Sequence, residues 1–312
     1  MAGKRKSKGG DNEAGAAAHA CLRRFVEFTR PRNPRPARAR AARFVDDLRE
    51  RVDGQGVDVL GFFYAGSTEK GTALRRFKSR ESDIPGQGLD LVISVGMLPV
   101  SSIVSAQKIL AAAAEGLLEA ERARLERDFR RDRATLELAP VLDVRGLGQF
   151  HVSPDRSIMP VNVRHEHEQI KKRTRSAASL NAKIGFNDAI RLLKWWRYAR
   201  PPREPVRAPT SLELERLAAA AFDGVGVGPT WQATLAMWCA WLAHDPPRVH
   251  LPAPFGEWFA HGASMFAEID ALTARADIVE RLDLELFGSA CTHANANANA
   301  NANANANANE RS

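Results

Sequence analysis

Cysteine is scarce in this chain: there are three in 312 residues, Cys21, Cys239 and Cys291, odd in number and far apart. They have no metal-knuckle spacing and frame no disulfide scaffold, so the thiols read as reduced and the compartment as cytoplasmic. No apolar run approaches the ~18 residues of a membrane span. The lysine-rich start is not followed by the apolar segment of a signal peptide, so neither membrane insertion nor secretion is expected. Acidic residues are sparse at one end: residues 1–40 hold eleven Lys and Arg against Asp11, Glu13 and Glu27, a surplus that equals the net charge of +8 of the whole chain. Residues 1–37 therefore read as a basic, largely disordered arm, and TRPRNPRPARAR within it is the candidate contact for nucleic-acid phosphates. At the other end, residues 291–312 contain an Ala-Asn repeat with no means of building a core and read as a disordered tail. The remainder, in a chain 44% hydrophobic and 26% charged, suits one large or two medium soluble cores.

Two short apolar runs stand out. Val59, Leu60, Phe62, Phe63 and Tyr64 have strand composition, as do Leu89, Leu91, Val92, Ile93 and Val95. Between them lie Gly66-Ser67 and Gly71-Thr72. Gly66 lets the backbone approach a ligand with no Cβ in the way, and the amides of residues 67–72 suit phosphate oxygens, most effectively if Thr68–Arg76 starts a helix. Ser67 and Thr72 add hydroxyls, and Lys70, Arg75, Arg76, Lys78 and Arg80 add cations that favour a polyanion. Asp90, flanked by Leu89, Leu91, Val92 and Ile93, is costly to bury unpaired, so a metal ion or an arginine is expected to face it.

Further along, Ser101–Asp132 has the spacing of a long amphipathic helix. Thr135–Leu142 reads as another strand, ending near Pro140 and carrying Glu137; Asp143 competes with Glu137 as an acid facing the same side. VRGLGQFHVSPDRSIMP is loop-like. Helices are then expected over Val163–Ser176, Phe186–Arg200, Ser211–Phe222, Trp231–His244 and Glu257–Leu286, so a mixed sheet precedes a helical half. On such a helix His165 and His167 point to nearly opposite sides and share no ion; their charged neighbours favour a solvated face. Ser211 falls at an expected helix N-cap. Of the adjacent tryptophans, Trp196 is expected in the core, while Trp195 is open between packing and stacking on a base.

The stretch GFFYAGSTEKGTALRRFKSRESDIPGQGLDLVISV resembles the active-site hairpin of DNA polymerase beta-like nucleotidyltransferases, in which GS, GT and an Asp-x-Asp strand follow one another. Ile190-Arg191-Leu192-Leu193-Lys194-Trp195-Trp196 and Pro209-Thr210-Ser211-Leu212-Glu213-Leu214-Glu215 are similar to helical motifs of oligoadenylate synthetases and of the bacterial cGAS/DncV-like nucleotidyltransferases. The resemblance spans roughly residues 58–222. It implies an α+β, two-lobed nucleotidyltransferase fold: a small mixed β-sheet with helices over residues 38–160, and a helical lobe over 161–290. It also implies nucleotidyl transfer supported by two Mg2+ or Mn2+ ions, with Asp83, Asp90 and Glu137 as metal-binding and catalytic carboxylates. Gly66, Ser67, Thr72, Lys194 and Ser211 would bind the NTP. The chain departs from the family at Gly88, which stands where the first aspartate belongs, and at Glu137, a glutamate in place of aspartate. Asp83 replaces the missing ligand if residues 84–89 loop out of the strand; otherwise one ligand is absent. The implied activity is synthesis of linear or cyclic oligonucleotide second messengers from NTPs in antiviral defence, read by a downstream effector. The alternatives are a CCA-like RNA nucleotidyltransferase and a degenerate nucleotide-binding protein.

Overall fold

The computed structural model describes residues 10–31, 35–75, 77–78, 83–84, 86, 88–127, 135–202, 207–244, 253–272 and 277–278. Cys291, the Ala-Asn tail, Arg76 and Arg80 lie outside them. The chain forms two compact units: a sheet unit, Pro31–Arg76 with Pro85–Lys172, and a helical unit, Met1–Arg30 with Phe77–Ile84 and Arg173–Ser312.

The sheet unit is built on five strands in the order β1-β4-β5-β6-β7: β1 (Val59–Ala65), β4 (Gly88–Val95), β5 (Thr135–Val144), β6 (Gly148–Val152) and β7 (Ile158–Val161). β4 runs antiparallel to β1 and parallel to β5, and the β5-β6-β7 pairs are antiparallel. Alternation sorts the two faces. Leu89, Leu91, Ile93 and Val95 of β4, with Leu136, Leu142 and Val144 of β5, pack into a core with α2 (Arg35–Val52) and α4 (Ile103–Arg127). The helices meet them with Ala41, Val45, Leu48 and Val52 and with Ile103, Ala106, Leu110 and Ala114, one helical stripe each. On the other face, Val92 packs with Ala65, Ala139 and Val141, and Gly88 and Asp90 share its parity.

Several sequence expectations are corrected here. β5 does not stop at Pro140 but runs to Val144; the pairing shifts between Leu91↔Leu138 and Ile93↔Leu142, and Pro140 falls in that irregularity, where a missing N–H breaks no regular ladder. The loop-like stretch after Asp143 forms β6 and β7, turned by Gly146 and Gly148 at positive φ and by Asp155, whose carboxylate accepts from the Ser157 amide and hydroxyl. The long helix begins as a 3-10 turn at Val100–Ser102 and continues as α4 to Arg127.

The basic arm is also corrected: Gly10–Thr29 is helix α1, with Leu22, Phe25, Val26 and Thr29 buried, and Arg35 onward is α2. The arginines and prolines of the arm mask the apolar triplet, Leu22, Phe25 and Val26, that anchors it. α1 belongs to the helical unit, with α6 (Phe186–Ala199), α7 (Ser211–Val225), α8 (Trp231–His244) and α9 (Ala253–Ala271). Phe25 meets Trp195 edge-on at 5.0 Å, and Arg30 holds Asp188 at 2.8 Å. Trp196 stacks on Trp258 at 4.0 Å, so both adjacent tryptophans lie in the core and Trp195 is unavailable to stack on a base. α5 (Val163–Leu180) contributes its first part to the sheet unit.

The cap of α7 is one residue earlier than expected. Thr210, not Ser211, is the N-cap; its hydroxyl accepts from the Glu213 amide while the Glu213 carboxylate accepts from the Thr210 amide. Arg207 pairs with Glu213 and, with the Thr210 amide and hydroxyl, holds its carboxyl down to about 2. Thr210→Ala is expected to cost about 1 kcal/mol of stability by denaturant titration. A folded pKa below the unfolded value makes the Glu213 contribution complete above the ordinary carboxylate range and lost as pH falls toward 2, so a Glu213→Gln variant should converge with wild type only in strong acid, whereas the Thr210→Ala deficit, which rests on the Glu213 backbone amide, should persist.

Candidate active site

Gly66 opens α3 (Gly66–Lys70), a single turn that replaces the expected helix over Thr68–Arg76 because Gly71, left-handed at φ 71°, ends it. Gly66 itself has φ +74°, a conformation that favours glycine. The carbonyl of Ser67 collects the amides of Thr72 and Ala73 at 2.8 and 3.1 Å, and Thr68 Oγ1 donates to the Gly88 carbonyl at 2.5 Å, tying α3 to β4. Ala65, the residue that precedes α3, has no side chain to cap the first amides of the helix.

Asp90 sits in this notch. A Cβ on Gly66 would fall 1.6 Å from Asp90 Oδ2, so the carboxylate occupies the space that glycine leaves. Opposite Asp90 in the parallel pairing stands Glu137, and both lie on the face away from α2 and α4. Glu137 is exposed and Asp90 half-buried. Asp143, the competitor of Glu137, instead accepts from Ser94 Oγ at 2.9 Å and pairs with Arg164 at 3.6 Å, six residues along the strand. Two adjacent carboxylates are hard oxygen donors that suit Mg2+, which is commonly held by one or two carboxylates together with substrate phosphates. Among the described residues no cluster of three or more His, Cys, Asp or Glu exists that would cage a metal on protein atoms alone.

The other expected site residues fare differently. Asp83 is not on β4: it pairs with Lys78 in the two-residue hairpin of β2 (Phe77–Lys78) and β3 (Asp83–Ile84), which belongs to the helical unit through Phe77 against Phe28 and Trp195. Thr72 is buried and its hydroxyl turns to the Ser67 carbonyl at 3.4 Å, bracing the turn rather than lining it. Ser211 is the first residue of α7, half-buried. Lys194 is 2% exposed and its ammonium lies 2.6 Å from Glu215 Oε1, also buried. Its charge is compensated inside the helical unit, an arrangement that does not favour the phosphate-ligand role implied by LLKWW. Lys70 likewise turns inward, 3.6 Å from Glu166. His167 is buried rather than solvated; burial and then the Lys70 charge hold its pKa below the ordinary imidazole value, while His165 is exposed as expected.

No family model and no curated protein matches the sequence. Solved structures do match in fold. The E. coli MS115-1 CdnC, solved in complex with HORMA-deltaN, is 17% identical, with a TM-score of 0.59 over 87% of this chain and 97% of that one. The Bradyrhizobium diazoefficiens CD-NTase CdnG, solved in complex with GTP, is 16% identical, with a TM-score of 0.58 over 89% and 97%. Vibrio cholerae DncV cyclic AMP-GMP synthase, described as a prokaryotic cGAS homolog, is 11% identical, with a TM-score of 0.53 over 89% and 88%. The chain thus has the cGAS/DncV-like nucleotidyltransferase fold, in agreement with the motifs.

Because removing one member of a buried ion pair strands the other, Lys194→Met is expected to lower stability by about 3–5 kcal/mol. Thermal denaturation of Lys194→Met beside Glu215→Gln checks this; a melting temperature within a degree of wild type would return Lys194 to the candidate ligands.

Proposed function

We propose that the protein is a Mg2+-dependent nucleotidyltransferase that joins NTPs into linear or cyclic oligonucleotide second messengers, with release of pyrophosphate. The observation that carries the reading is Asp90 lodged in the Gly66 notch and register-paired with Glu137. The fold shared with CdnG, solved with GTP, and with DncV, a cyclic AMP-GMP synthase, supports it. In this reading the amides at Gly66 and Ser67 and the Ser67 hydroxyl bind the triphosphate, and Thr68 and Thr72 keep that turn in shape. Asp90 and Glu137 would hold the Mg2+, which would supply Lewis-acid chemistry there: a lower pKa for the attacking ribose hydroxyl and stabilisation of charge on the departing pyrophosphate. Between them the two carboxylates orient the acceptor hydroxyl and favour loss of its proton. Ser211 remains a proposed phosphate contact, and Asp83 a proposed additional carboxylate.

An antiviral role, read by an effector that recognises the product, belongs to this proposal, as does cytoplasmic placement; among the described residues no helix is long and apolar enough to cross a membrane. Incubation with labelled NTPs and Mg2+, with and without tRNA, tests the reaction. Oligonucleotide product from protein and NTPs alone is expected; label found only on tRNA would move the assignment to an RNA nucleotidyltransferase, and NTP binding without any product to a degenerate binder. Asp90→Asn, which keeps volume and removes the charge, should reduce turnover by at least about a thousandfold, several kcal/mol of transition-state stabilisation, at an unchanged melting temperature. Turnover like that of wild type would remove Asp90 from the reaction.

A further inference from the structure

Gly88 stands opposite Thr135 in the parallel pairing, two residues before Asp90 on the same face of β4. Its backbone lies outside the left-handed region, so strand geometry does not demand glycine there, and glycine inside a strand is ordinarily unfavourable. Its neighbour across the ladder supplies the reason. A Cβ at position 88 would lie 3.1 Å from Glu137 Oε1, 3.2 Å from its Cδ and 3.4 Å from Oε2. The Glu137 side chain is folded back over Gly88, and Thr135 Oγ1 donates to Oε1 at 3.3 Å to keep it there. A Cβ there would already press on the Glu137 carboxylate by a few tenths of an ångström, and a longer β4 side chain at position 88 would have to push it aside.

We infer that Gly88 and Glu137 are a matched exchange: the carboxylate that a side chain at position 88 would present is delivered from β5 by Glu137, and glycine at 88 makes room for it. The two departures of this chain from the family motif are then one change. The extra methylene of glutamate supplies the reach, the missing Cβ supplies the space, and Thr135 is the positioning residue. The site has two carboxylates on adjacent strands: Asp90 lies in the space left by Gly66, and Glu137 lies close against the side of β4 that Gly88 leaves open. The inference rests on the reading of this pair as the divalent-cation site.

The test is Mn2+ binding by the full chain, followed by electron paramagnetic resonance of free Mn2+, with melting temperatures measured alongside. Glu137→Ala should weaken Mn2+ by at least about tenfold, and Glu137→Asp, whose carboxylate falls short of Gly88, by a comparable factor. The double variant Gly88→Asp/Glu137→Ala, with the acid returned to β4, should recover affinity to within about threefold of wild type. Affinity for Glu137→Asp equal to wild type overturns the inference, as does a folded double variant that binds no better than Glu137→Ala. If the double variant does not fold, Glu137→Asp decides alone. Wild-type binding that Glu137→Ala leaves unchanged removes the exchange but not the functional reading; a wild-type chain that binds no Mn2+ with or without NTP removes both.

Discussion

The parallel pairing of β4 with β5 is the constraint on which the candidate site depends. It sets Asp90 opposite Glu137, two carboxylates that would repel one another in an isolated sheet. What fixes the register is the opposite face, where Leu89, Leu91 and Ile93 meet Leu136 and Leu142 beneath α2 and α4. A slip of one residue would turn that apolar set outward and the acids inward. Apolar burial on one side of the sheet therefore holds like charges together on the other, where the proposed divalent cation would relieve their repulsion. The crossover that permits a parallel pair is α4, whose stripe of Ile103, Ala106, Leu110 and Ala114 lies on the same core.

Around this pair the glycines act by what they leave out. Gly66 leaves side-chain volume that the Asp90 carboxylate fills, and Gly88 leaves the Glu137 carboxylate undisturbed at 3.1 Å from where a Cβ would stand. The turn that bears Gly66 is held from within, by Ser67 and Thr72 through backbone and hydroxyl bonds and by Thr68 onto the Gly88 carbonyl. In the helical unit the corresponding economy is electrostatic. Lys194 with Glu215, and Arg30 and Arg191 with Asp188, place compensated charges among tryptophans and phenylalanines. Such pairs add little net stability when intact and cost much when broken.

What was legible in the sequence followed from local pattern. The apolar runs gave β1 and β4, glycine spacing gave the turn, and the 3.6-residue period gave α8 to the residue and α6 to within one. Asp90 stood out because an acid inside an apolar run requires a partner. What was not legible depended on contacts distant in sequence. Glu215 lies 21 residues from Lys194, so nothing local separated a core lysine from a phosphate ligand. Leu22, Phe25 and Val26 gain their meaning from Trp195 and the helices around it, and in isolation the surrounding charge and proline dominated the reading of that arm. The link between Gly88 and Glu137 crosses two strands and was visible in sequence only as two unrelated departures from a motif.

A crystal of the protein soaked with Mn2+ and a non-hydrolysable ATP analogue, measured at the manganese absorption edge, tests the central claim most directly. The account requires an anomalous peak bridging the Asp90 and Glu137 carboxylates, with the triphosphate against the amides of Gly66 and Ser67. Nucleotide bound with no manganese at that pair, or with its phosphates away from the Gly66–Ser67 turn, would contradict it.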